Sequence, residues 1–100
     1  MGLQMSHELP VPPVAAADPK AVEIARIWAS RGSQHVSLAT EIWDDPAAWG
    51  LMLVDLARHV ANGYEQAQGR DREDVLRRIR AGFDAEWESP TDVATGRLVE

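Results

Sequence analysis

Trp43-Asp44-Asp45-Pro46-Ala47-Ala48-Trp49-Gly50, continuing Leu51-Met52-Leu53-Val54-Asp55-Leu56-Ala57-Arg58-His59-Val60-Ala61-Asn62-Gly63-Tyr64, is the stretch around which the chain is organised. Asp45 can accept a hydrogen bond from a free backbone N–H, and Pro46 at the first helical position gives up a donor that has no partner there. At about 100° per residue from Trp49, the residues Leu53, Leu56, Ala57, Val60 and Tyr64 fall within one apolar arc, with Arg58, Asn62 and Glu65 opposite. The pattern predicts a helix from Pro46 to about Gln66 or Gln68, closed by Gly69 in the left-handed conformation that commonly ends helices. Leu51 and Val54 lie off the main arc, so the first turns are expected to be covered on a second side by another subunit. Gly63 costs about 1 kcal/mol relative to alanine inside a helix, which points to a close backbone contact there.

Working outward, Asp71 with Asp74 three residues on opens a second helix, whose stripe is Val75, Leu76, Ile79, Phe83 and Trp87. Charges at three- and four-residue spacing, among Glu73, Asp74, Arg77, Arg78, Arg80 and Asp84, suit an exposed face. The short Gly69 link makes the two helices antiparallel neighbours. Ser89-Pro90 stops the second helix. Upstream, Ile24-Ala-Arg-Ile-Trp28 is rich in strand formers, Arg31-Gly32 is turn chemistry, and Gln34 to Thr40 alternates His35 and Ser37 with Val36 and Leu38. These signals predict a short helical turn or extended lead-in and then a β-hairpin. Residues 20–30 also fit a helix, and the strand after Gly32 is the better marked of the two. Pro10, Pro12 and Pro13 predict an extended tail over residues 1–17. The organisation read from this is one small domain over residues 18–90 with a C-terminal tail over 91–100. The fold class is α+β, a short hairpin or two-stranded element followed by two antiparallel helices packed on it.

Composition narrows the functions. The chain has 100 residues, 45% of them hydrophobic, and a net charge of −6, which works against a phosphate-binding surface. No nucleic-acid partner is expected. There is no cysteine, so disulfides, thiol nucleophiles and thiolate metal sites are excluded, in keeping with a cytoplasmic protein. No apolar run reaches the roughly 20 residues that span a bilayer, so no membrane partner is expected. A core built from about 70 residues is marginal on its own, and a homodimer would relieve the shortage.

The order Ile27-Trp28, His35-Val36-Ser37-Leu38, Asp45-Pro46-Ala47-Ala48-Trp49-Gly50, Asp55-Leu56-Ala57-Arg58-His59-Val60 and Phe83-Asp84-Ala85-Glu86-Trp87 resembles a small bacterial family known as domain of unknown function 5076. The resemblance spans roughly Ala21 to Pro90. It implies a free-standing small domain and carries no reaction, substrate or catalytic residue with it.

The candidate chemistry is sparse. Asp55 and His59 are four apart on the central helix, so a carboxylate could orient an imidazole; they are the catalytic candidates, against a packing or dimer-contact role. If the strand of His35 packs beside that helix, His35, His59 and Asp55 make a possible metal set, although no close-spaced ligand motif is present and no metal or cofactor is expected. Ser30, Ser33, Ser37, Thr40 and Ser89 sit in no glycine elbow, and the glycines are scattered singly, without phosphate-loop or dinucleotide patterns. The tryptophans, Trp28, Trp43, Trp49 and Trp87, serve either to fill a small core or to line a partner surface. The leading reading is a non-enzymatic, self-associating protein-interaction module, homodimeric and able to bind another protein, with His35, Trp43, Trp49, Leu51 and Val54 as ligand or interface residues. The strand His35–Ala39, or the face of Leu51 and Val54, is expected to meet its counterpart in a second subunit. The alternative is a minor enzyme or metal- or ligand-binding domain using Asp55, His59 and His35.

Overall fold

The computed structural model describes residues 7–90, with elements in the order α1 (Pro13–Ala16), β1 (Ala25–Ser30), β2 (Ser33–Leu38), α2 (Ala47–Gln68) and α3 (Arg72–Glu88). By its contacts the chain divides into two compact units, one ending at Ala39 and one beginning at Thr40. The expected C-terminal tail from residue 91 lies outside the described residues.

In the first unit β1 and β2 pair antiparallel, with Trp28 opposite His35, Ile27 opposite Val36 and Ser30 opposite Ser33. Arg31 and Gly32 turn the chain with φ of 53° and 75°, the two positive values that a two-residue hairpin turn requires and that match the strand twist. Glycine takes this conformation freely; Arg31 takes it at a cost of about 1 kcal/mol. The pairing sorts the side chains by face. Arg26, Trp28, His35 and Ser37 stand on one side, and Ala25, Ile27, Val36 and Leu38 on the other. The alternation read in the sequence is the alternation observed. Arg26 is held by Glu8 and by Glu23, the latter at 3.1 Å. The side-chain hydrogen bond to Glu23, then the charges of Glu23 and Glu8, raise the guanidinium above its usual pKa.

The proline-rich lead-in is not extended throughout. Pro13 to Ala16 makes a single helical turn, because Pro13 occupies the first turn, where it loses no hydrogen bond, and the alanines that follow are strong helix formers.

The second unit is the helical pair. Asp45 Oδ1 accepts from the Ala47 backbone N–H at 2.9 Å, so it serves the helix start as expected, although regular helix begins at Ala47 and Pro46 takes the capping position. Gly69 closes α2 with φ of 67°, its N–H donating to the Glu65 carbonyl at 2.9 Å. Two residues later the Asp71 side chain accepts from the Asp74 N–H at 3.1 Å and starts α3. This short reversal brings the helices into contact. Ala61 of α2 is fully buried and Val75 of α3 is 4% exposed, and these two are the buried apolar residues among those described. Arg72 Nη1 donates to Asn62 Oδ1 at 3.3 Å, and Arg70 lies 5.2 Å from the Tyr64 ring centre, so the reversal end is tied by polar contacts too.

Two sequence expectations change here. A Cβ built on Gly63 meets nothing within 4 Å, so no close backbone approach explains that glycine. Four-residue spacing on α3 offers Glu73 with Arg77, Asp74 with Arg78 and Arg80 with Asp84; the last of these forms, at 2.9 Å, while Asp74 pairs with Arg77 three residues on and Glu73 with the adjacent Arg72.

With open space at position 63, Gly63→Ala is expected to raise the unfolding free energy by about 0.5–1 kcal/mol through the helix preference of alanine alone. Urea denaturation followed by circular dichroism measures this, and a loss of stability would mean that a neighbour occupies the space.

Candidate functional site

Burial in the helical pair runs out along its length. At the reversal end Ala61 and Val75 close the seam, with Leu76 and Ile79 half-buried. At the other end the same stripes stand in the open. Leu53 is 46% exposed, Phe83 50% and Trp87 73%. These three line a wide-mouthed groove of about 560 Å³, completed by Pro46, Ala47 and Gly50 from α2 and by Asp84 and Glu88 from α3. Phe83 and Trp87 stack on each other at 5.5 Å with an interplanar angle of 23°, so each ring holds the other's orientation.

Leu51 and Val54 are one helical turn on from Ala47 and Gly50, and so extend the groove's apolar wall. Leu51 is 71% exposed and Val54 50%. Scattered exposed apolar side chains are ordinary, but Leu53, Phe83 and Trp87 meet at one groove, with Leu51 and Val54 exposed a turn further along α2, and exposed apolar side chains gathered together are the kind of surface that marks an interaction site. The arc read from the sequence is only half covered: Leu56 and Val60 keep about two-fifths of their surface exposed. The contact between helices is made where side chains are small, at Ala61.

Trp43 and Trp49 have a different task. Their rings meet edge to face at 5.2 Å and 80°, both half-buried, so the segment before α2 is folded back on its first turns. A smaller hollow of about 280 Å³ lies beside Val60, Gly63, Tyr64, Ala67 and Gln68.

The polar candidates each have their own surroundings. Asp55 reaches Arg58 at 3.5 Å, with both side chains largely exposed. His59 is exposed on α2, and no hydrogen bond joins it to Asp55 among the described residues. His35 is half-buried opposite Trp28 on the hairpin. Among the described residues no three His, Asp or Glu side chains are grouped so that they could hold a metal ion. None of their helices is long and apolar enough to cross a membrane. Of the groove residues, Phe83, Asp84 and Glu88 are not among the site candidates of the sequence reading, and Trp87 enters it only among the tryptophans that fill a core or line a partner surface; the signal for them was the apolar stripe continuing to the last turn of α3.

A two-stranded hairpin followed by an antiparallel helical pair is the class of fold defined here. The chain matches the family described as Domain of unknown function (DUF5076) over residues 8–91, and it belongs to that family. Among solved structures it is similar, at 33% identity and a TM-score of 0.71, to a chain from the photosynthetic bacterium Rhodopseudomonas palustrus CGA009 that carries the provisional name pyruvate dehydrogenase; the match covers 95% of this chain and 97% of that one. No curated protein matches it.

Because Asp55 is paired with Arg58 and His59 stands in solvent, Asp55→Asn and His59→Gln are each expected to change the unfolding free energy by less than about 0.5 kcal/mol. Chemical denaturation of the two variants checks this. A loss of 2 kcal/mol or more would mean that the two side chains sit in a packed, polar site.

Proposed function

We propose that the protein is a self-associating interaction module of the cytoplasm, homodimeric, that presents the apolar face of its helical pair to its partners and has no catalytic role of its own. The observation that carries this reading is the exposure of Leu53, Phe83 and Trp87 at the groove, with Leu51 and Val54 exposed one turn on from its lining residues Ala47 and Gly50. Leaving that much apolar surface in water forgoes about 25 cal/mol for each Å² that a partner could cover. A pair of helices with a groove between their open ends is suited to receiving a helix from another chain, the recurring mode in which amphipathic helices dock. The hairpin offers a second contact. Among the described residues its sheet has two strands, so both edges offer backbone groups, and β2, Ser-Gln-His-Val-Ser-Leu, has no charged residue or proline to discourage a further strand. Trp43 and Trp49 support the interface by fixing the start of α2, and His35 lies on the strand with the unguarded edge.

The solved neighbour's provisional name belongs to that protein. A dehydrogenase needs an enclosed seat for a redox partner and a group to move a proton, and the concavity described above is wide-mouthed and walled mainly by Pro46, Ala47, Gly50, Leu53, Phe83 and Trp87.

Light scattering coupled to size-exclusion chromatography is expected to give twice the chain mass at micromolar concentrations. The Leu51→Lys, Val54→Lys double variant is expected to shift the chain toward monomer with its helical circular dichroism retained. An unmodified chain that remains monomeric at high micromolar concentration contradicts the reading.

A further inference from the structure

The open face of the helical pair carries a charge pattern that complements itself. Arg77, Arg80, Asp84 and Glu88 recur at spacings of three and four along α3, so they share one stripe with Trp87, and Asp84, Trp87 and Glu88 line the groove. The first half of that stripe is basic and the second half acidic. Laid parallel, two such stripes would set Arg77 and Arg80 against the same arginines. Laid antiparallel and crossing at the level of residue 82, they set Arg80 of each copy opposite Asp84 of the other, and Arg77 opposite Trp87 with Glu88 one residue beyond. Leu76 then meets the far end of the same stripe, next to Trp87.

We infer that two copies of this chain pair by laying α3 against α3 in antiparallel register, the two-fold axis passing at the level of residue 82, with Phe83 and Trp87 covered and Arg77 and Arg80 of each facing Glu88 and Asp84 of the other; this rests on the self-association proposed above. Two features of α3 favour it. Its last turns carry Asp84 and Glu88 with no basic residue, although the carbonyl end of a helix is negative and disfavours acids, so arginines from a second copy supply the missing cations. Within the chain, Arg80 pairs with Asp84 at 2.9 Å, but both are more than half exposed and the basic residue comes first, the less favourable order on a helix. That pair is therefore readily exchanged for its counterpart across the two-fold axis. The rings supply the apolar centre and the charges the rim and register, the usual division in an interface.

The test uses the full chain in sedimentation velocity, with two charge-reversed variants, Arg77→Glu with Arg80→Glu and Asp84→Arg with Glu88→Arg. Each alone is expected to dimerise about tenfold or more weakly than the unmodified chain, and an equimolar mixture of the two is expected to recover the dimer as a heterodimer. Far-UV circular dichroism verifies that both keep their helices. A salt series on the unmodified chain, whose dimer should weaken as salt rises, decides the matter even if a variant misfolds. A dimer indifferent to salt, variants that dimerise as tightly as the unmodified chain, or a mixture that fails to recover would overturn this pairing and leave self-association standing. An unmodified chain that stays monomeric removes both.

Discussion

The reversal at Gly69-Arg70-Asp71 is the constraint from which the helical unit follows. Gly69 adopts a left-handed φ that ends α2, and Asp71 caps α3 two residues later, so the two helices have no course but antiparallel and adjacent. Close approach there needs small side chains on one wall, which Ala61 supplies opposite Val75. A large residue in place of Ala61 would force the helices apart or strain the core by an amount on the order of 1–3 kcal/mol. Arg72 to Asn62 and Arg70 over Tyr64 reinforce the same end. The pair is thus fastened at one end, and its apolar stripes run on beyond what the seam covers.

That excess connects folding to function. With Ala61 and Val75 the buried apolar residues among those described, the helical pair has little hydrophobic stabilisation to spare, and folding always works against the conformational entropy of every ordered residue. Leu51, Leu53, Val54, Phe83 and Trp87 are the unused part of that stabilisation, available to whatever covers them. Membership in the DUF5076 family adds no chemistry, and the helical unit leaves these side chains exposed.

Much of this was legible in the sequence because local rules decided it. Asp45-Pro46, Gly69, Asp71 with Asp74, and Ser89-Pro90 mark the helix ends, and each acts through one or two backbone groups within its own turn. Arg31-Gly32 flanked by alternating residues marked the hairpin in the same way. What periodicity could not reveal is which part of an apolar arc another helix covers. It ranks Leu53, Leu56 and Val60 as inward, whereas tight packing selects Ala61, which the arc passed over, for its small size. The Asp55 and His59 spacing allowed a pair, but Arg58 lies as near along the helix and carries a full charge, so the carboxylate goes to the guanidinium. The single turn at Pro13–Ala16 was hidden by the prolines before it, since proline is as much at home in a first helical turn as in an extended chain.

The central claim is that the helical pair is sealed at its Gly69 end and completed at the other by a second molecule. Hydrogen exchange read by mass spectrometry at two protein concentrations tests it most directly. Amides of residues 57–66 and 74–75 should be protected equally at both, while those of 48–55 and 76–88 should gain protection as concentration rises. Equal protection of all four segments at every concentration, or faster exchange near Ala61 and Val75 than near Trp87, would contradict the account.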